Sequence, residues 1–159
     1  MPSAAAVTAF QTIVQSYTSD ELFGQALLEQ GRTLRIGEDI AGAIDSYMRT
    51  ATTYDYLPEA AEALWRAGFL YTENNQPTEA RAVFERLADR YPDTQQARDG
   101  LFLAASTAYA ANDLTSAERF YAELAVKSTG EDQAAAYWWV GRLALQRGDQ
   151  RTAQEAFTQ

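Results

Sequence analysis

Residues 61–93 read AEALWRAGFLYTENNQPTEARAVFERLADRYPD, and this stretch decides the fold. Ala61, Leu64, Trp65, Gly68, Phe69 and Tyr71 recur at three- and four-residue spacing, the mark of one buried helical face. A polar turn, Asn74-Asn75-Gln76, follows. Pro77 then opens a second helix, where its missing N–H has no partner to lose. Ala80, Val83, Phe84 and Leu87 form the second stripe, and Tyr91-Pro92-Asp93 closes the unit, with Asp93 expected to cap the next helix.

The same unit recurs along the chain. Alanine and an aromatic residue four positions later stand at Ala6/Phe10, Ala43/Tyr47, Ala80/Phe84, Ala117/Tyr121 and Ala153/Phe157, with steps of 37, 37, 37 and 36 residues. Gly31, Gly68, Ala105 and Gly141 keep that step, and so do Asp39, Gln76, Asp113 and Asp149. Three registers with one period in this range indicate stacked helix pairs. The expected fold is all-α, a right-handed superhelix of antiparallel helix pairs without strands. The helices are expected near 3–17, 20–36, 39–53, 58–74, 77–90, 94–111, 114–128, 131–147 and 150–159. Turns fall near 37–38, 74–76, 111–112 and 147–149. The whole of 1–159 reads as one solenoid: a half repeat at 1–19, repeats at about 20–57, 58–93 and 94–130, and a truncated repeat at 131–159. Both ends look cut, so a longer parent protein is expected. End-to-end dimerisation through the unfinished repeats is the corresponding expectation for association, because each repeat buries its face only against a neighbour.

Glycine in mid-helix costs about 1 kcal/mol relative to alanine. Its recurrence at 31, 68 and 141 therefore implies close approach of the paired helix. The alanine of each Ala/aromatic pair is expected to face the glycine, and the aromatic to fill the gap between neighbouring pairs. Ala43, Tyr47, Gly68, Ala80, Phe84, Ala117, Tyr121, Gly141 and Ala153 are the expected core. Gly24 is expected to lack such a crossing, so that a leucine there should cost less than a leucine at Gly68. Asp39, Asp113 and Asp149 stand where N-caps are needed.

Composition narrows the function. Nearly half of the residues, 47%, are apolar, so a sizeable core is available. The net charge of −9 disfavours nucleic acid and anionic membrane surfaces. No apolar run approaches a membrane span. Cysteine and histidine are both missing, which removes thiolate chemistry, the commonest general base and the commonest metal ligand. The acidic pairs Asp20-Glu21, Glu38-Asp39 and Glu131-Asp132 fall at helix starts, where negative charge suits the helix dipole. Phosphate-binding glycine loops are missing too. No catalytic residue, metal site or cofactor is expected.

Leu64-Trp65, Gly68, Tyr71, Ala80, Phe84 and Pro92 resemble the tetratricopeptide repeat in order and spacing. The period exceeds the usual length of about 34 residues. Departures occur at Leu34 and Ala108 for the tyrosine, at Ala105 for the glycine and at Asp55 for the closing proline. The phrase from Phe84 to Thr94 is similar to repeats of bacterial envelope proteins. Ala136-Tyr137-Trp138-Trp139-Val140-Gly141-Arg142-Leu143-Ala144 resembles the helical region that precedes the catalytic domain of soluble lytic transglycosylases. That family's catalytic glutamate is followed by serine, and no such pair occurs here. The resemblance implies a scaffold for protein, peptide or peptidoglycan partners in the cell envelope, periplasm or extracellular space, with the cytoplasm left open. The other implied reading is the superhelical part of a transglycosylase whose peptidoglycan-cleaving domain lies downstream.

In tetratricopeptide stacks the first helix of each unit lines the concave face. Positions spaced by four and then three residues share one side of that helix. Here they are Leu28, Arg32 and Arg35; Trp65, Phe69 and Thr72; Phe102, Ser106 and Tyr109; Trp138, Arg142 and Leu145. Arg32, Arg35, Trp65, Phe69, Phe102, Tyr109, Trp138 and Arg142 are the candidate groove, a mixture of aromatics and arginines enriched in interface hot spots. Packing between adjacent first helices is the competing role for Trp65, Phe102 and Trp138, and Trp139 is expected to cover a following repeat.

Overall fold

The computed structural model describes residues 4–16 and 20–159. Among them are nine helices and no strand: α1 (Ala4–Ser16), α2 (Asp20–Ile36), α3 (Ile40–Thr53), α4 (Glu59–Glu73), α5 (Pro77–Arg90), α6 (Gln95–Ala110), α7 (Leu114–Lys127), α8 (Gly130–Gln146) and α9 (Gln150–Phe157). Each lies within one or two residues of its expected range, except that Ser3 and Tyr17, expected in α1, fall outside the described residues.

Two compact units meet at the peptide between Val83 and Phe84, in the middle of α5. In the first unit α1 packs on α2, α2 on α3 and α3 on α4, and α2 also touches α4. That last contact, between the first helices of successive pairs, is what stacking of repeats requires. In the second unit α6 packs on α7, α7 on α8 and α8 on α9.

The three-residue turns inside the helix pairs share one backbone solution. Glu38, Asn75, Asn112 and Gly148 all take positive φ, at 65°, 56°, 59° and 81°. The next residue's N–H reaches back five positions: Asp39 to the Leu34 carbonyl at 3.0 Å, Gln76 to Tyr71 at 2.8 Å, Asp113 to Ala108 and Asp149 to Ala144 at 2.9 Å. This is the Schellman ending of a helix. The residue that closes one helix then caps the next. The Asp39, Asp113 and Asp149 carboxylates accept N–H bonds from Gly42, Ser116 and Thr152 at 2.9, 3.1 and 3.1 Å. For Asp149, hydrogen bonds from Thr152 hold the carboxyl below its usual range. Gln76 has no carboxylate to offer; its side-chain oxygen instead accepts from Asn74 at 2.9 Å. The cap carbonyls of Asp39, Gln76, Asp113 and Asp149 accept from Ala43, Ala80, Ala117 and Ala153. The recurring alanine is thus also the residue that starts each second helix's ladder.

At α6 the expectation shifts by one residue. Thr94, with extended backbone, is the cap, and its hydroxyl accepts from Ala97 N–H at 3.2 Å. Asp93 contributes only its backbone carbonyl, toward Arg98 at 3.5 Å.

All nine expected core residues are buried. The partner of the helical glycines is corrected. A Cβ on Gly31 would lie 2.5–2.9 Å from ring atoms of Tyr47, and one on Gly141 would lie 2.5–2.8 Å from the ring of Phe157. At both positions the nearest atoms belong to the aromatic sixteen residues on, not to the alanine. A ring is thin, so it fits where a methyl group has been removed, and its contact area offsets the weak helix propensity of glycine. Gly24 is corrected too. It is buried, and a Cβ there would meet Leu57 Cδ1 at 2.8 Å. A leucine at that position must displace a packed side chain.

Candidate functional site

The eight candidate residues fall four to each unit. In the first unit, α2, α3 and α4 enclose a cleft of about 130 Å³ lined by Arg35, Tyr47, Trp65, Arg66, Phe69 and Leu70. Helical spacing puts Trp65 one turn before Phe69, and their rings stack with centroids 5.7 Å apart and planes 18° apart. Tyr47 enters from α3, where its ring is fixed against Gly31. Arg35 and Arg66 bring the charge. Arg32 does not line the cleft. It pairs with Glu29 and, at 2.7 Å, with Glu62. Glu62 also accepts from Arg66, at 2.5 and 2.8 Å. Arg35 is held more loosely, 3.7 Å from Glu73, with both side chains about half exposed.

Electrostatics follow from this lattice. Burial pushes the Glu62 carboxyl up, but hydrogen bonds from Arg66 and Arg32 outweigh it and hold the group below the usual carboxylate range. Burial raises the Tyr47 phenol, and the nearby charges of Arg66, Arg32 and Arg35, with a contact from the Arg66 guanidinium that falls outside hydrogen-bonding geometry, only partly oppose this. Tyr47 therefore stays a neutral hydroxyl at physiological pH. Three buried polar atoms in this region lack a hydrogen-bond partner: Tyr47 Oη, Trp65 Nε1 and Arg32 Nε. Each carries a proton to donate.

In the second unit the candidates gather around a residue assigned elsewhere by the sequence. Trp139 stacks on Tyr121 at 5.2 Å and 5°, meets Tyr109 at 5.4 Å, and stands edge-on to Trp138 at 5.1 Å. It packs on the preceding helices α6 and α7, so the expectation that it covers a following repeat is corrected. Phe102 reaches the same cluster through Tyr121, at 6.2 Å. The Arg142 guanidinium lies 4.9 Å from the Trp138 ring and 5.6 Å from that of Trp139. Among the described residues it has no carboxylate partner. Burial under these rings pushes the Tyr121 phenol up to about 12. Phe102, Tyr109, Trp138 and Leu145 remain 48%, 37%, 46% and 52% exposed, so Phe102 and Trp138 are not swallowed by packing between first helices.

Sequence reasoning placed Leu28 on the accessible side of α2, yet it is only 5% exposed and belongs to the core. It also missed Tyr47, Arg66 and Trp139. The helical face shared by Tyr47 with Ala43 signals burial, and nothing in a one-dimensional period tells that the residue also lines a cleft. No group of three or more His, Cys, Asp or Glu side chains able to hold a metal occurs among the described residues, and none of their helices is long and apolar enough to cross a membrane.

The helix pairs, their turns and the glycine–aromatic contact define a helical-repeat fold of tetratricopeptide type. Residues 62–94 match the tetratricopeptide repeat family, and the fold of the chain is that of tetratricopeptide-repeat proteins. It is similar to BtubC from P. vanneervenii (9% identity, TM-score 0.67, over 96% of this chain and 68% of that one). It is also similar to MamA (15%, 0.62, 96% and 82%) and to the TPR-like repeats of a Podosopora anserina kinesin light chain (13%, 0.65, 96% and 81%). At these identities the likeness concerns the fold. No curated protein matches the sequence.

Proposed function

We propose that this chain is a scaffold that holds a protein partner in the bacterial cell envelope and has no catalysis of its own. The observation that carries the reading is the patch of the second unit. Phe102, Tyr109 and Trp138 stand between a third and a half exposed, beside Arg142, which has no carboxylate partner among the described residues. Aromatic and arginine side chains anchor interfaces because they bring large contact area at low conformational cost and lose little on desolvation. The repeat architecture supports the same role, since stacked helix pairs offer a continuous surface. The envelope location rests on the likeness of the Phe84–Thr94 phrase to envelope repeats.

The test is display selection of linear peptides on the immobilised protein, with a Trp138→Ala/Arg142→Ala double variant as counter-target. Enriched sequences should bind the double variant at least about tenfold more weakly, the loss expected for two central anchors. Failure of the intact fold to enrich any sequence sinks the scaffold reading. The Ala136–Ala144 phrase favours a second reading, the structural region of a lytic transglycosylase. Co-sedimentation with insoluble peptidoglycan, lost in the same double variant, supports it; peptide enrichment without sedimentation favours the first.

A further inference from the structure

From the cleft of the first unit we infer that it is a receptor for a side-chain carboxylate, an aspartate or glutamate presented by the partner polypeptide. The inference deepens the scaffold reading by naming the chemistry of one anchor, and it rests on that reading for the partner being a polypeptide.

Four facts converge. The charged groups that line the cleft are both guanidiniums, Arg35 and Arg66, and no carboxylate or amide side chain is among the lining residues. Two further lining residues carry buried polar atoms without partners, Tyr47 Oη and Trp65 Nε1. An unpaired buried donor is uncommon enough to need a cause, and an acceptor supplied from outside is one. Three of the five arginines in residues 1–83 (Arg32, Arg35 and Arg66, the others being Arg49 and Arg81) act on the Tyr47 phenol, although that segment carries eleven acidic residues. Finally, Arg35 is free to turn. Its pair with Glu73 is long at 3.7 Å and half exposed, and such a pair is worth little in water. Arg35 already lines the cleft, and turning from Glu73 to a partner's carboxylate trades a weak contact for a better one.

A side-chain carboxylate fits this lining better than a chain end. It arrives on an aliphatic stem that the stacked Trp65 and Phe69 rings can cover. A terminal carboxylate brings its own peptide N–H beside it, and a lining dominated by donors would leave that N–H unpaired. The cleft volume is well above what a single water needs, so the stem can enter with the oxygens.

The experiment uses the full chain and three peptides of equal length with leucines flanking the central residue. One has blocked ends and a central glutamate. The second has blocked ends and glutamine. The third has glutamine and a free C-terminal carboxylate. Binding is followed by the indole N–H resonances of the three tryptophans, assigned through single Trp→Phe variants. The glutamate peptide should move the Trp65 indole proton downfield, as a new hydrogen bond requires, and bind about tenfold or more tightly than the blocked glutamine peptide. Arg35→Gln should weaken glutamate binding about tenfold and Tyr47→Phe several-fold, the latter keeping the ring on Gly31. Arg151→Gln, on the exposed face of α9 and outside both candidate sites, should leave it unchanged. Equal binding of both blocked peptides, or preference for the free C-terminus, overturns the inference. So does an unaffected Arg35→Gln variant with native helicity. Shifts confined to Trp138 and Trp139 overturn it while leaving the scaffold reading intact. No binding of any peptide overturns it as well, and the scaffold reading is then decided by the display selection.

Discussion

The two units put equivalent helical positions to opposite uses. In the first, the arginines of the exposed face are netted: Arg32 and Arg66 share Glu62, and Arg35 leans toward Glu73. The aromatic pair Trp65–Phe69 is half-buried beneath them. In the second, Arg142 rests on indoles and the rings themselves face solvent. The first arrangement is a polar cleft with specific donors; the second is a broad aromatic plate. The difference teaches that a repeat conserves its buried half, where one misplaced atom disrupts both helices, and leaves its outer half open to change.

The sharpest way to break this comparison lies in the shared buried half. Gly31→Leu drives a side chain into the Tyr47 ring, which is fully buried, and should cost about 3 kcal/mol or more by denaturant titration. Gly141→Leu should cost clearly less, because Phe157 is 46% exposed and can swing outward. Equal losses would mean that the glycine–aromatic contact is not governed by how well the ring is enclosed.

The second test separates the plate from its support. Trp139→Ala removes the ring that holds Tyr109, Tyr121 and Trp138 together and should destabilise by about 2 kcal/mol. Trp138→Ala, half exposed, should cost under about 1 kcal/mol. A reversed order in thermal melts would show that the exposed tryptophan is the structural one.

The third concerns the netted arginines. Glu62→Gln should cost about 1 kcal/mol at neutral pH, a value kept small because the side chain is 31% exposed. Its folded pKa is depressed, so the stabilisation is present above the unfolded value of about 4.3 and disappears as pH falls through the lower folded value. The wild-type advantage over Glu62→Gln should therefore vanish in acid. Arg142→Gln in the second unit should leave stability almost unchanged at every pH, and an acid-labile loss there would erase the contrast.

The smallest effect is a gain. Glu38 holds the left-handed turn position that Asn75, Asn112 and Gly148 fill elsewhere. A side chain other than asparagine is strained there. Glu38→Gly should raise stability by about 0.5–1 kcal/mol, seen as a higher melting temperature, while Gly148→Glu should lower it by a similar amount.

Helix positions, intra-pair turns and core were legible in the sequence because a stacked repeat satisfies itself locally. A buried stripe must recur every three or four residues, and a turn must recur wherever the stripe stops. Period and polarity therefore carried Ala43, Phe84, Ala117 and Gly141 to their correct places. The candidate faces were legible only in part. Trp138 and Phe102 follow from helical spacing, whereas Leu28 shares that spacing and is buried, since the same angular position on a helix meets a different neighbour in each unit.

What the sequence determined by itself is thus the set of helices, how each begins and ends, and which stripe is hidden, all consequences of short-range geometry repeated at a fixed step. Only the tertiary structure decided that rings sit on Gly31 and Gly141, that Glu62 holds two arginines, that Trp139 leans back on Tyr121, and that the Tyr47 hydroxyl and the Trp65 indole nitrogen stand without partners. Those outcomes depend on long side chains choosing among several reachable neighbours from different helices, and that choice has no period.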